Sequence, residues 1–338
     1  MTADHTGEKI RSAIVGLGRI ASSLEDDPLR EKPATHAGAI TSNSALHLVG
    51  GADPDPEKRE AFKKRWGVDA VFEDAETLLE KTRPHILHIA TPPETHLALI
   101  RMAARHGVPL VISEKPLAPT EKEAREAARF CRKHKVRLMV NHERRFALDY
   151  VHTRKRVMDK TYGELLGIGA LLFMGRTRPP GQVLLDDGTH LLDMIRFLTS
   201  GEISGIKARG KPKTEGSFIE ASFWISRKKQ NPIPASVVVG GRRDHFVFEI
   251  DLSFERGRIR VGNGLYEEYE SVASPYYAGV KSLRLKPEIR FEKTRYFSGM
   301  MEEALGLIRD PKRQPVSSGE DGLQAVKAIR EILKKCRG

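Results

Sequence analysis

Ile10-Arg-Ser-Ala-Ile-Val15 running into Gly16-Leu-Gly18-Arg-Ile-Ala21 is the stretch that decides the architecture. The first six residues are short and rich in β-branched side chains, which reads as a buried strand. The glycines after it allow a tight turn, and the second removes the side chain that would keep a ligand away from the main chain. Two glycines in a loop mean little alone; a strand before them and a β–α rhythm after them supply the context. That rhythm is present. Apolar runs at Leu46–Val49, Val68–Phe72, Ile86–Ala90, Leu110–Ile112 and Val136–Val140 alternate with amphipathic stretches near 55–66, 74–81, 94–106 and 120–134. Strands alternating with helices of this length predict an α/β fold with a doubly wound parallel Rossmann sheet.

Punctuation supports these elements. Asp53-Pro54-Asp55-Pro56 opens one helix, Thr120 with Glu123 forms a capping box, and Gly67 and Gly107 close helices. The segment Ser22–Pro33 is too polar and proline-broken to continue a helix, so it predicts an insertion in the first crossover, with helix resuming near His36–Ile40. It reads either as a tolerated surface loop or as a flap over the ligand crevice. After about residue 145 the rhythm changes: helical patterns near 147–160 and 187–199 bracket a strand at Leu165–Met174. Strand-like runs then follow at Ile203–Arg209, Phe218–Ser226, Ala235–Gly240, Phe246–Leu252 and Arg258–Val261. Successive strands without helices predict a mostly antiparallel sheet, and helices return near 295–309 and 319–335. The expected division is a Rossmann domain over 1–143 and an α+β domain over 144–338, with the last helix packing back on the first domain.

Bulk properties narrow the class. A chain of 338 residues with 39% hydrophobic and 30% charged content is globular and long enough for two cores. No apolar run approaches the roughly 20 residues of a membrane helix, and the polar Met1–Lys9 lacks the apolar core of a signal peptide. Cys131 and Cys336 give neither a disulfide framework nor zinc spacing, and cytoplasm is the expected compartment. The net charge of +12 is spread over many helices without a nucleic-acid motif, so no nucleic-acid partner is expected. The same charge suits an anionic small substrate.

The chemistry-bearing residues sit where strands end. The Gly16/Gly18 turn suits a dinucleotide pyrophosphate at a helix N-terminus. Asp53 ends the second strand, where an acid accepts ribose hydroxyls and favours NAD; its alternative is a helix cap beside Pro54. Arg19 keeps NADP open. Thr91-Pro92-Pro93 ends the fourth strand and Ser113-Glu114-Lys115-Pro116 the fifth, placing a cation at the crevice. Asn141, His142, Arg144 and Arg145, after the sixth strand, read equally as a substrate wall or as a polar hinge. In the second domain, Asp186-Asp187-Gly188-Thr189-His190 precedes Asp193; a helix from about Asp187 puts His190 and Asp193 on one face. Histidine suits proton removal from an alcohol near neutrality. No metal site is expected, because nothing completes a ligand shell around Asp186, His190 and Asp193.

Ile14–Ile20, Ala52-Asp53, Ala90–His96, Glu114–Leu117, Arg145-Phe146 and Asp186–Asp193 together resemble the glucose-fructose oxidoreductase/inositol dehydrogenase/MocA family of NAD(P)-dependent oxidoreductases. Departures are the 22–33 insertion and Ala21 in the third glycine position. The resemblance implies hydride transfer between nicotinamide and a secondary alcohol of a sugar, nucleotide sugar or cyclitol. It implies Lys115 and His190 as the acid–base pair, in either order, with Asp186 binding and orienting substrate. Gly16, Gly18, Arg19, Ile20, Asp53, Thr91, Pro92, His96, Glu114 and Lys115 are the implied cofactor residues, with a cis Lys115–Pro116 peptide. A homo-oligomer, dimer or tetramer, built through the C-terminal sheet is also implied. The alternative is a non-catalytic NAD(P)-binding sensor on the same fold.

Overall fold

The computed structural model describes residues 9–174 and 178–336. Residues 1–8, 175–177 and 337–338 lie outside them. The chain divides into two compact units: one runs to Phe146 and resumes at Arg295–Leu323, the other takes Ala147–Thr294 and the chain from Gln324. The division therefore falls beyond residue 143, and the segment 295–323, expected in the second domain, is counted with the first.

The first unit is built from β1 (Ile10–Val15), α1 (His36–Thr41), β2 (Leu46–Ala52), α2 (Pro56–Trp66), β3 (Val71–Phe72), α3 (Ala75–Thr82), β4 (Ile86–Ile89), α4 (His96–Arg105), β5 (Leu110–Ser113), α5 (Glu121–Lys133) and β6 (Arg137–Val140). Its six strands run in the order β3-β2-β1-β4-β5-β6 and pair in parallel throughout. The strand order reverses between β1 and β4, the place where such folds take ligands. Burial on both faces explains the unbroken apolar runs of β4 and β5, all of whose residues are buried. The strand expected over Val68–Phe72 is shorter, and Pro93–Thr95 forms a separate 3-10 turn before α4. The cap of α2 is Asp55, whose carboxylate accepts from the N–H of Glu57; Asp53 is thus released for another task.

The second unit contains α6 (Leu148–Met158), β7 (Leu165–Met174), α7 (Pro180–Asp186), α8 (Gly188–Thr199) and seven further strands: β8 (Glu202–Gly210), β9 (Phe218–Ser226), β10 (Ile233–Gly240), β11 (Phe246–Phe254), β12 (Gly257–Gly262), β13 (Leu265–Ala273) and β14 (Lys281–Leu285). They form one sheet, ordered β14-β13-β12-β11-β7-β10-β9-β8, antiparallel except where β10 runs parallel to β7. Three elements escaped the sequence: α7, hidden behind Pro179-Pro180-Gly181, and β13 and β14. The Pro at the first helical position is compatible with a helix because its missing N–H is not needed there. Strand β13 reads Leu-Tyr-Glu-Glu-Tyr-Glu-Ser-Val-Ala and lacks the apolar alternation that marks a strand.

The return of the chain to the first unit has a packing reason. Because residues 22–33 are spent on the insertion, α1 has only six residues, too few to cover the sheet face beside β1. Helix α9 (Tyr296–Arg309) supplies Phe297, Met300, Met301 and Ala304 to the same core as Ile14, Leu17, Ile40 and Ile112. Gly299 lets it approach, since a Cβ there would lie 2.7 Å from that of Phe146. Helix α10 (Gly319–Lys335) follows, counted with the first unit to Leu323 and with the second beyond it. No helix among the described residues is long and apolar enough to cross a membrane.

Candidate functional site

In the first unit the carboxyl ends of β1, β4, β5 and β6 are joined by main-chain hydrogen bonds that continue past the strands. Ala90 N–H donates to Val15 O (2.8 Å), Glu114 N–H to Ile89 O (2.9 Å) and Asn141 N–H to Ser113 O (2.8 Å). The three polar turns expected at the crevice are therefore neighbours. Gly16 has φ +86°, and a Cβ there would meet the Ala90 carbonyl at 2.8 Å, so the first turn requires glycine on both counts. Gly18 differs: a Cβ at that position meets nothing within 4 Å.

Among the described residues, no hydrogen bond engages the main-chain N–H groups of Gly18, Arg19 and Ile20. An open glycine beside three available donors is a cradle for an anion such as a pyrophosphate. Asp53, 6% exposed, accepts from the Leu17 N–H at 2.9 Å and the Asp55 N–H at 3.0 Å. Its carboxylate is thereby fixed against the glycine turn, where ribose hydroxyls would lie. Arg19 is exposed, while Ile20 packs its side chain on the core. These residues fit NAD.

The turn after β4 is tied to the turn after β5 by His96. Fully buried, its Nε2 lies 2.9 Å from Thr91 O and its Nδ1 3.1 Å from Pro116 O. Burial lowers its pKa despite these carbonyls. A neutral ring carries one N–H, so one of these carbonyls accepts from it, and the ring shapes the two turns. Thr91 remains half-buried with its hydroxyl 2.6 Å from that of Thr95, and Pro92 is exposed.

Glu114, 8% exposed, is the hub of the floor. Its Oε1 accepts from Asn141 Nδ2 at 2.6 Å and faces His36 Nε2 at 3.0 Å, and its Oε2 accepts from the Lys115 N–H at 3.3 Å. Burial opposes its charge, but the hydrogen bonds of His36 and Asn141 and the charge of Lys115 outweigh burial and hold its pKa below the usual value. Lys115 is half-buried, and the Lys115–Pro116 peptide is cis.

Glu143, in the 3-10 turn Glu143–Phe146, is a group the sequence reading passed over. Burial, helped by the negative charge of Glu114, pushes its carboxyl up to about 7 against the pull of Arg144 and Lys115. Nothing in a run of charged residues marks one carboxyl as different; only its surroundings do.

Arg145 is held by contacts within the first unit. Its guanidinium is 3.0 Å from the Asp321 carboxylate, donates to Val316 O, and is 5% exposed, so it fastens the chain after β6 to the start of α10. Arg144 stacks over Tyr296.

In the second unit, Asp186 is the last residue of α7, and Asp187 forms the junction to α8 without a side-chain cap. The helix begins at Gly188, where a Cβ would meet Leu184 at 2.6 Å; the glycine of the Asp-Asp-Gly-Thr-His stretch permits the sharp α7–α8 corner. His190 lies in the first turn of α8 at 6% exposure, three residues before the fully buried Asp193. Asp186 is partly exposed and 3.5 Å from the guanidinium of Arg178.

A parallel sheet of this order, with an open glycine turn beside β1 and a fixed acid at the end of β2, defines an NAD-binding Rossmann protein. Residues 10–142 match the family model described as an oxidoreductase family with an NAD-binding Rossmann fold. The chain is similar to the glucose-fructose oxidoreductase/inositol dehydrogenase/MocA family over that segment, which is less than half of its length. It is 24% identical over 345 residues to an inositol 2-dehydrogenase of Rhizobium meliloti, covering 96% of this chain and 98% of that protein. It is 27% identical over 209 residues to D-glucoside 3-dehydrogenase of Escherichia coli, covering 59% of this chain and 56% of that protein, a little over half its length. Among solved structures it is similar to a putative NADPH-dependent oxidoreductase from Desulfitobacterium hafniense, with TM-score 0.81 at 19% identity, covering 98% of this chain and 96% of that one.

Proposed function

We propose that this protein transfers hydride between NAD and a secondary alcohol of a sugar, nucleotide sugar or cyclitol, with Lys115 and His190 as its acid–base pair. The observation that carries the reading is the turn at Glu114–Lys115–Pro116: a cation whose main chain is held by a buried carboxylate, at the same end of the parallel sheet as the Gly16/Gly18 turn. The relatives named for inositol and glucoside oxidation support the substrate class. Bound NAD supplies the hydride acceptor. Loss of hydride from the carbinol carbon leaves a proton on its oxygen, so a base within hydrogen-bond reach must take it. We assign the base to His190, whose place in the first turn of α8 disfavours the cationic ring. The ammonium of Lys115 stabilises the negative charge developing on that oxygen. Asp186 holds a substrate hydroxyl, and Glu143 is a further titrating group on the same floor.

The test is reduction of NAD followed by absorbance against a panel of inositols, glucosides and nucleotide sugars. Lys115→Ala and His190→Ala each lower turnover by about 100- to 1000-fold, and turnover unchanged in both removes the assignment. Tight NAD binding with no turnover on any panel member favours a sensor.

We also read the outward face of the eight-stranded sheet, where Leu171, Trp224, Leu283 and Leu285 are exposed beside an Arg258–Asp251 pair, as a self-association surface. A cytoplasmic location accompanies this reading. A monomeric mass by light scattering at micromolar concentration contradicts the self-association.

A further inference from the structure

Behind Glu114 lies a buried polar chain that the proposed reaction does not use. His36 Nε2 is 3.0 Å from Glu114 Oε1, and His36 Nδ1 is 2.9 Å from His88 Nδ1. Both rings are fully buried. Placing two imidazoles and a carboxylate in a core is costly unless each is hydrogen-bonded. With Nε2 of His36 donating to the carboxylate, a neutral His36 accepts at Nδ1 from His88, and a cationic one donates there instead. Burial, with His36 second, holds the pKa of His88 well below its usual value, which keeps that ring neutral. The assembly is not closed as a packing device would be: His88 Nε2 and Asn141 Oδ1 are buried and without partners.

The insertion at 22–33 has a place in this chain. Its Glu25 accepts from the Ala34 N–H (3.1 Å) and the Thr35 hydroxyl (2.7 Å), and Thr35 caps α1 by accepting from the Gly38 N–H (3.0 Å). A Cβ on Gly38 would strike the Glu25 carboxylate at 2.3 Å, so that glycine makes the strut possible. Trp66 Nε1 donates to Ser22 Oγ (2.8 Å), and the Arg295 N–H donates to Glu31 (3.0 Å), fastening both ends of the insertion. His36 is the first residue of the helix so braced. A loop that looks like a flap is strapped down, and it sets the position of a histidine.

We propose that His36 is a positioning residue for Lys115: it aligns the Glu114 carboxylate that holds the Lys115 turn, and the insertion holds His36 in register. This rests on the reading of Lys115 given above. The charged and titratable groups around Glu114 are Lys115 on its own turn, His36 of α1, His88 of β4, His96 of α4, and Glu143 and Arg144 after β6. Loss of His36 removes a donor from Glu114 and leaves the carboxyl easier to protonate.

The experiment has two arms. Carbon-13 NMR of Glu-labelled apoprotein, with Glu114→Gln as the assignment control, follows the Glu114 titration. It is expected to move up by a pH unit or more in His36→Ala and to return at least halfway in His36→Gln, whose amide restores a donor. The kinetic arm uses NAD with myo-inositol, D-glucose and UDP-glucose as probes. A 10- to 100-fold fall in kcat with little change in KM is expected in His36→Ala, with the acid limb of the pH profile displaced upward and partial rescue in His36→Gln. Where the alanine variant does not fold, His36→Asn, too short to reach Oε1, replaces it. A lowered melting temperature with an unmoved Glu114 titration, or an unmoved acid limb on a probe that is turned over, overturns the proposal. With no turnover of any probe, the NMR arm alone decides. Lys115→Ala run in parallel separates the two failures: full turnover in that variant defeats the reading of Lys115, whereas its loss beside an unmoved His36→Ala defeats only the role of His36.

Discussion

Glu114 in the first unit and Glu268 in the second are both buried carboxylates held ionised, yet their surroundings differ in kind. Glu268, 3% exposed on β13, accepts from the hydroxyls of Tyr162 and Tyr266 (both 2.6 Å) and from Arg156 Nε at 3.1 Å, with His152 Nε2 at 3.1 Å and Lys286 Nζ at 3.7 Å. Burial raises its pKa, but these partners overcome burial and hold it at about 2. Neither this carboxylate nor its two tyrosines has a buried atom left without a partner. Around Glu114, by contrast, two polar atoms go unmet and a neighbouring carboxyl is pushed up to about 7. A saturated network serves to hold a sheet together. An unsaturated one at the carboxyl ends of parallel strands has capacity left for a ligand, and groups poised to change charge.

The largest effect expected to sharpen this contrast is on stability. Glu268→Gln leaves Arg156 and its neighbours around a neutral amide and should cost about 3 kcal/mol, as breaking a buried pair usually does, read as a lower urea midpoint. The folded carboxyl lies below its ordinary 4.5. Its contribution is therefore complete above that value and fades as pH falls through 4.5 toward 2, and the gap between wild type and variant should close over the same window. Glu114→Gln is expected to do the reverse: a modest loss of stability, but a roughly 10- to 100-fold fall in turnover, the scale of misplacing a group near the reacting atoms. Equal behaviour of the two variants in both assays breaks the comparison.

The smallest effect concerns Glu143. Its folded carboxyl lies above the unfolded value, so the folded state binds the extra proton between about 4.5 and 7. The stability this provides is complete below that window and is lost as pH rises through it. Glu143→Gln should accordingly melt a few degrees higher than wild type at pH 8 and match it near pH 4.5, and a rate limb near neutrality should vanish with the substitution. A Glu143 that titrates in the ordinary carboxyl range removes it from the floor's chemistry.

The first unit was legible because its signals are local. A strand, two glycines, an acid at the end of the next strand and Glu-Lys-Pro each declare themselves within a few residues, and the parallel sheet follows from the spacing between them. Lys115 and His190 stood out for the same reason, each beside a residue that stops or starts an element. For Arg145 and His96 residue type does not reveal exposure; both are buried, Arg145 beside the Asp321 carboxylate and His96 beside the Thr91 carbonyl.

The amino-acid sequence by itself determined the alternation of strands and helices in the first unit and its glycine turn, since periodicity and turn chemistry act over short distances. Tertiary structure alone decided which core α9 belongs to, that burial raises the Glu143 carboxyl, and that the 22–33 insertion braces the helix carrying His36. Those outcomes depend on what the chain brings alongside from far away. Burial and charge around a side chain are properties of its neighbours in space, and no window of sequence contains them.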